Sequence, residues 1–329
     1  MKNIYKYIII TFAAILNLYS CNNEWDDELF ENKIAFGKNG VADIYVRYKT
    51  DGKISYQIPV VVSGSKINNK EYNVHVALDT DTLEDLNFER FRYRDDLYFK
   101  LLDEKYYSLQ SSQVIIPKGT NTATMDIDFT LEGIDMVDKY ILPLTIKDDP
   151  TYQVNYRKHY RKALLNIIPF NDYSGIYSAT DGLVYLRNIG ENDQTPMTMD
   201  TRQGFVVDDN SIFFYAGVTE EEFENRELYK VIVTFEDGIE VAEGNLKLEA
   251  PNADKINFRI VNNASYTIRK DMDPIFPYLE HTYITLNMEY EYDEIVTETA
   301  RLEYRFKGSL TLERKRNITI PDEDQQIIW

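Results

Sequence analysis

Runs in which apolar and polar residues alternate recur along this chain, and that period constrains the fold more than any other feature. "EYNVHVALD" (71–79) places Tyr72, Val74, Val76 and Leu78 on one face and Asn73, His75 and Ala77 on the other. An extended strand turns successive side chains to opposite faces, so each such run has one side for a core and one for water. "ADIYVRY" (42–48) alternates in the same way, and "KISYQIPVVVSG" (53–64) is a longer strand ending at a glycine turn. "SQVIIPKGTNTATMDIDFTLEG" (112–133) is two strands around a Lys-Gly turn, with Met125, Ile127 and Phe129 in step. "KYILPLTIKDD" (139–149) and "KALLNIIPF" (162–170) complete a first set. The 26 tyrosines and 16 phenylalanines suit half-buried pleated surfaces. Strands at this spacing predict a β-sandwich of about seven strands over residues 33–169. Pro59 and Pro143 inside strand-like runs point to edges or bulges. "TLEDLNFERFRYRDDLYFKLL" (82–102) lacks the alternation and is expected to be a crossover with a short helix on the sandwich rim.

A boundary falls near "IIPFNDYSGIYSA" (167–179), where Asn171-Asp172 begins a turn. From 170 onward, eight to ten strand-like runs follow, joined by tight turns such as Asp237-Gly238. Consecutive antiparallel strands avoid exposed edges by closing into a barrel, and a second sandwich is the other solution. The expected fold class is all-β throughout.

The first 20 residues, "MKNIYKYIIITFAAILNLYS", carry two lysines, then a mostly apolar run, then a small residue before Cys21. That is the plan of a secretory signal, and the run falls short of the roughly 20 residues a membrane span needs. "LYSC" resembles the lipobox of bacterial lipoproteins, with Leu18 three before the cysteine and Ser20 directly before it; Tyr19 departs from the small residue usual between them. The resemblance implies cleavage after Ser20 and acylation of Cys21, each buried methylene contributing ~0.8 kcal/mol of membrane affinity. Glu24, Asp26, Asp27 and Glu28, in the expected tether 21–32, resemble the acidic signal of Bacteroidetes lipoproteins exported to the outer face of the outer membrane. With one cysteine, no disulfide can form within the chain.

The formal charge of −19 becomes −21 once residues 1–20 are removed. So acidic a chain repels nucleic acid and anionic headgroups, which leaves the lipid anchor as the expected membrane contact. Neutral sugars fit this charge; polyanionic ones fit badly.

The closing stretch "GSLTLERKRNITIPDEDQQIIW" resembles the end of a family of Bacteroidetes outer-membrane lipoproteins of the polysaccharide-utilisation type. "YQIPVVVSG" (56–64), "ALDTDTLEDLN" (77–87), "YYSLQSSQVIIPKGT" (106–120) and "DKYILPLTI" (138–146) are similar to the N-terminal domain of that family. The resemblance implies an immunoglobulin-like first domain and a calycin-like or related β-rich second one. It further implies surface capture of glycans beside a starch-utilisation-type uptake system, whose TonB-dependent transporter and lipoprotein lid would be partners. The competing expectation is a structural or assembly lipoprotein docked onto that transporter complex.

Glycan capture needs flat aromatic faces with hydrogen-bonding groups nearby. "KDMDPIFPYLEH" (270–281) offers Phe276 and Tyr278 on a loop stiffened by two prolines, with Asp273 in reach. The alternative is that these rings plug the barrel mouth. "SIFFYAG" (211–217) offers Phe213 and Tyr215 on one strand face and Phe214 on the other; Tyr215 is the candidate there. A small apolar ligand inside the barrel is a further possibility. No catalytic constellation is legible. His75, His159 and His281 are scattered without zinc spacing. "DTDTLEDLNFER" (79–90) lacks the glycine and the final glutamate of a calcium loop. No metal, cofactor or catalytic residue is therefore expected.

Overall fold

The computed structural model of the chain describes residues 30–157 and 159–320. The signal segment, Cys21, Trp25, the acidic run and Trp329 lie outside the described residues. Strand accounts for 51% of the described residues against 9% helix, so the fold is all-β.

The first unit holds β1 (Lys33–Phe36), β2 (Gly40–Arg47), β3 (Ile54–Ser63), β4 (Tyr72–Leu78), β5 (Lys100–Leu101), β6 (Tyr107–Leu109), β7 (Gln113–Ile116), β8 (Thr122–Phe129), β9 (Tyr140–Ile146) and β10 (Lys162–Phe170). One sheet runs β1-β3-β8-β6; the other runs β2-β10-β9-β4-β7, with β5 beside β9. The alternating apolar faces meet between them, Ile58, Val60 and Ile127 from one side and Val74, Leu144 and Ile167 from the other. The strands beyond the expected seven include two- and three-residue pieces such as β5 and β6, too short to show a period. β10 pairs with β2 in parallel, a long-range contact no local pattern announces.

Both prolines lie in interior strands, where one neighbour has run out. Pro143 falls between β5, which pairs with Tyr140 and Ile141, and β4, which pairs from Leu144 onward. On that side its missing N–H has nothing to bond, so the ladder loses nothing. Pro59 lies one residue past the end of pairing with β1.

Helix α1 (Thr80–Phe91) covers the segment that resembled a calcium loop. Asp79 acts as its N-cap, its carboxylate accepting from Thr82 N and Thr82 Oγ1. Capping satisfies an otherwise orphaned helix N–H, a different use for an acid at that position. The helix lies on the outer face of the larger sheet, where Leu83 and Phe99 pack on Ile141 and Leu164.

The second unit holds β11 (Gly175–Ser178), β12 (Gly182–Leu186), β13 (Met197–Thr198), β14 (Thr201–Val206), β15 (Ser211–Tyr215), β16 (Lys230–Phe235), β17 (Glu243–Glu249), β18 (Arg259–Met272), β19 (Leu279–Ile295) and β20 (Arg301–Asn317). β14 to β20 pair in chain order, and β11 bridges β14 to β20. That closes an eight-stranded barrel and decides between the barrel and the second sandwich. β11 and β12 share the edge of β20, separated by a tight turn in which Gly182 N donates to Ala179 O and the Asp181 carbonyl presses on Gly308. Gly308 has φ +143°, and a Cβ there would sit 2.0 Å from that oxygen, so only glycine fits.

Tyrosines and phenylalanines fill the barrel. Tyr177, Tyr266, Tyr292 and Phe306 are fully buried, and burial pushes the Tyr290 phenol up to about 12. One void among these rings, lined by Phe214, Met288, Tyr290 and Phe306, measures about 10 Å3, the size of a single water.

The two units join without a slack linker. β10 runs directly into a buried turn at Asn171, whose side chain accepts from Tyr173 N and Ser174 N and donates to the carbonyls of Asp208 and Ser211. Phe213 and Tyr215 on the outside of the barrel pack into the sandwich core.

Candidate functional site

Between the sandwich and the barrel lies a cleft of about 1370 Å3. Its sandwich wall is Asp43 and Tyr45 on β2, Asn166 on β10, and Arg90, Phe91 and Tyr98 around the end of α1. Its barrel wall is Arg202, Gln203 and Phe205 on β14, with Thr219 to Glu222. Ligand sites favour domain junctions, and this volume exceeds the usual ~300–1,000 Å3 of a small-molecule pocket. It suits an oligomeric ligand.

The folding that builds the cleft also fixes its side chains. Phe205 stacks on Phe213 at 4.9 Å between ring centroids, which sets the ring half-buried at the cleft wall. Tyr98 is held by its hydroxyl, which donates to Arg92 O. Asn166 donates to Asp43 at 2.8 Å. Arg226 clasps the two units from the floor, its guanidinium donating to the carbonyls of Asp96 and Val137. Lys139 and Glu221 pair across the junction at 2.9 Å. Preset aromatic and polar groups lose little freedom on binding.

Arg202 stands where cleft and barrel interior meet. It lies on the inward phase of β14, its Nε directed at Met199 Sδ at 3.0 Å and its Nη1 at Thr219 O at 3.3 Å. Burial pulls its pKa below the usual arginine value.

The loop between β18 and β19 is exposed and does not plug the barrel. Phe276 and Tyr278 are 48% and 44% exposed, their rings 5.9 Å apart and tilted. Asp273 is drawn into the loop's own architecture. It accepts from Ile275 N and Phe276 N, both at 2.8 Å, and from His281 Nε2 at 3.0 Å. Those backbone bonds, Phe276 first, hold its carboxyl below the usual range. His281 Nδ1 contacts Glu313 at 2.7 Å, and that carboxylate raises the imidazole pKa. The structure thus brings Phe276, Tyr278 and Asp273 together and leaves Tyr215 elsewhere. Tyr215 is 5% exposed, edge-on to Phe205 and Phe213 in the domain junction, and lines the cleft only from beneath. Both faces of "SIFFYAG" are buried, because the outside of the barrel is covered there by the sandwich.

Upstream of β10, Tyr152 is buried, its hydroxyl accepting from His75 N and donating to Lys147 O. A row of buried acids, Glu289, Glu291 and Asp293, runs along the outside of β19. Arg187 bonds Glu291 and Asp293, and Arg305 bonds Glu289, so these carboxylates staple β12, β19 and β20. Among the described residues no three acids or histidines are grouped to hold a metal ion.

The cleft is not legible in the sequence because its walls come from six separate stretches between 41 and 226. One local signal was available: Arg202 sits on the same strand phase as Gly204 and Val206, the phase that fills the barrel.

Fold and cleft together define an all-β protein, sandwich plus closed barrel, with a cleft of about 1370 Å3 at the junction. A family model for a domain of unknown function (DUF4973) matches residues 25–150, and a second model, for a C-terminal domain, matches 161–311. A Bacteroides ovatus protein of unknown function is 41% identical, covering 90% of this chain and 100% of its own, with a TM-score of 0.80. A multidomain Bacteroides ovatus protein that includes DUF1735 is 40% identical, covering 91% and 99%, with a TM-score of 0.78. An auxiliary nutrient binding protein of Bacteroides thetaiotaomicron is 36% identical, covering 88% and 96%, with a TM-score of 0.78. The chain belongs to the family these Bacteroides proteins form. No curated protein matches it at a significant level.

Proposed function

We propose that this chain captures glycans at the cell surface and passes them to an uptake system without chemical change. The observation that carries this reading is the junction cleft, where Phe205, Tyr98 and Tyr45 stand among Asn166, Gln203 and Arg202. Aromatic faces receive the C–H faces of sugar rings, and amides and guanidinium groups receive the hydroxyls. The nutrient-binding relative supports it, being similar over nearly the whole of both chains. No catalytic step is included: Asp43 is engaged by Asn166 and Glu221 by Lys139. In this proposal acylated Cys21 anchors the chain to the outer membrane, facing outward, beside a TonB-dependent transporter and its lipoprotein lid.

Calorimetry of the mature chain against a panel of neutral oligosaccharides tests the capture role, with Phe205→Ala as the cleft variant. Saturable heat lost in the variant supports it; silence across the panel refutes it. Chromatography of the same mixtures should recover every glycan intact. Mass spectrometry of the native protein should find acyl chains on Cys21, and an unmodified thiol refutes the anchor.

A second reading, docking onto the transporter complex, is favoured by one surface. Met272, Ile275, Phe276, Tyr278 and Ile318 are all exposed at the β18–β19 tip, where Ile318 N bonds Tyr278 O. Contiguous exposed apolar groups of this kind mark contact sites. Pull-down of the transporter abolished by Ile275→Asp, with glycan binding intact, would establish it.

A further inference from the structure

Arginine pairing in this acidic chain has one exception among the half-buried and buried side chains. Arg47 and Arg314 lie 3.0 and 3.9 Å from Asp172, Arg161 is 3.3 Å from Asp148, and Arg226 is 3.8 Å from Asp96. Arg187 and Arg305 are held by the β19 acids. Of these side chains Arg202 alone has no carboxylate within 4 Å among the described residues, and it lines the junction cleft. An unpaired guanidinium out of bulk water is costly, and this chain has acids to spare for pairing it.

The bonds Arg202 makes leave it half satisfied. A guanidinium has five N–H donors, and here one meets a thioether and one a carbonyl. Nη2 has no protein partner among the described residues. An edge with Nη1 and Nη2 available is the geometry that takes an anionic oxygen pair in two parallel bonds. Arg90 adds a second positive group on the opposite wall, its guanidinium 5.5 and 5.2 Å over the rings of Phe91 and Phe99. The rim carries the opposite sign. Glu220, Glu222 and Asp200 are exposed there. A chain bearing charge on every unit would be repelled on entry, whereas one charge aimed at Arg202 would not.

We infer that Arg202 recognises a single anionic substituent, a carboxylate or a sulfate ester, on an otherwise neutral glycan held in the junction cleft. This rests on the capture role proposed above and adds the ligand's charge class. A site built to pair a buried charge discriminates against ligands that leave the charge unpaired.

Matched oligosaccharide pairs test it on the mature chain by calorimetry. Each pair is a neutral chain and the same chain with one terminal unit converted to its uronic acid; a second set carries one sulfate ester instead. The expected result is at least tenfold tighter binding of a charged member, and the carboxylate and sulfate sets show which anion is preferred. Arg202→Gln should erase that ratio, weakening the charged member far more than the neutral one; Arg202→Lys should keep part of it. Equal binding of both members by the unaltered protein overturns the inference, and so does equal weakening of both by Arg202→Gln, which would make Arg202 a mere plug of the barrel mouth. Either result leaves neutral glycan capture standing. Failure of every pair to bind overturns the inference and the capture role together. The ratio in the unaltered protein decides even if a variant misfolds.

Discussion

The β18–β19 tip and the junction cleft both present aromatic rings beside polar groups, yet they spend those polar groups differently. At the tip Asp273, His281 and Glu313 bond one another and the loop backbone, leaving Phe276 and Tyr278 as an apolar surface with its polar neighbours committed. In the cleft the rings are braced by other rings and by backbone carbonyls, while Gln203, which donates to Gly204 O, and Arg202, which donates to Met199 Sδ and Thr219 O, keep further donors for a ligand. A polar residue near an aromatic is thus no sign of a sugar site until its own bonds are counted.

The largest way to break the comparison is at the linker. Asn171→Ala removes four bonds from a buried turn and should cost about 3 kcal/mol or more, read as a lower urea midpoint. The cleft should be lost with the junction, while the tip, held by local bonds, should keep its histidine titration. Next comes the choice between the two surfaces. Phe205→Ala should weaken glycan binding about tenfold through the lost ring face, and Tyr278→Ala less than twofold. The reverse order in calorimetry would move the site to the tip.

Smaller still is the pH response of the tip. His281 is raised above 6.5 by Glu313, so its protonated form supports the folded loop at low pH, and that support fades as pH rises through the raised value. Asp273 and Glu313 are lowered, so their support is present above the ordinary carboxylate range and fades as pH falls through their depressed values. The loop should be best ordered between those limits. NMR should place the His281 titration above 6.5, and a normal midpoint would dissolve the proposed pairing. The smallest effect is expected from Asp273→Asn, which keeps the oxygen that accepts from Ile275 and Phe276 and replaces the charged acceptor facing His281 by a neutral amide nitrogen. Global melting should not move, while the His281 midpoint should drop.

Much of the frame was legible in advance. Alternation located nearly every long strand, and the helix fell in the one stretch without it. Phe276 and Tyr278 were found because a proline-flanked loop announces itself locally. Tyr215 misled because "SIFFYAG" says only that its faces differ; that the sandwich covers the outer one is a contact between distant segments. Arg202 and Phe205 carry no local mark of the cleft for the same reason.

By itself the sequence determined the β architecture, since a side-chain period of two leaves a strand one way to bury its apolar face. It also determined the acidic charge that disfavours polyanionic ligands. Tertiary structure alone decided that the second sheet closes, that two prolines sit where neighbouring strands end, and that one arginine lines a cleft with no carboxylate within 4 Å of it among the described residues. Each depends on which groups meet across tens to hundreds of residues, and local periodicity carries no record of that.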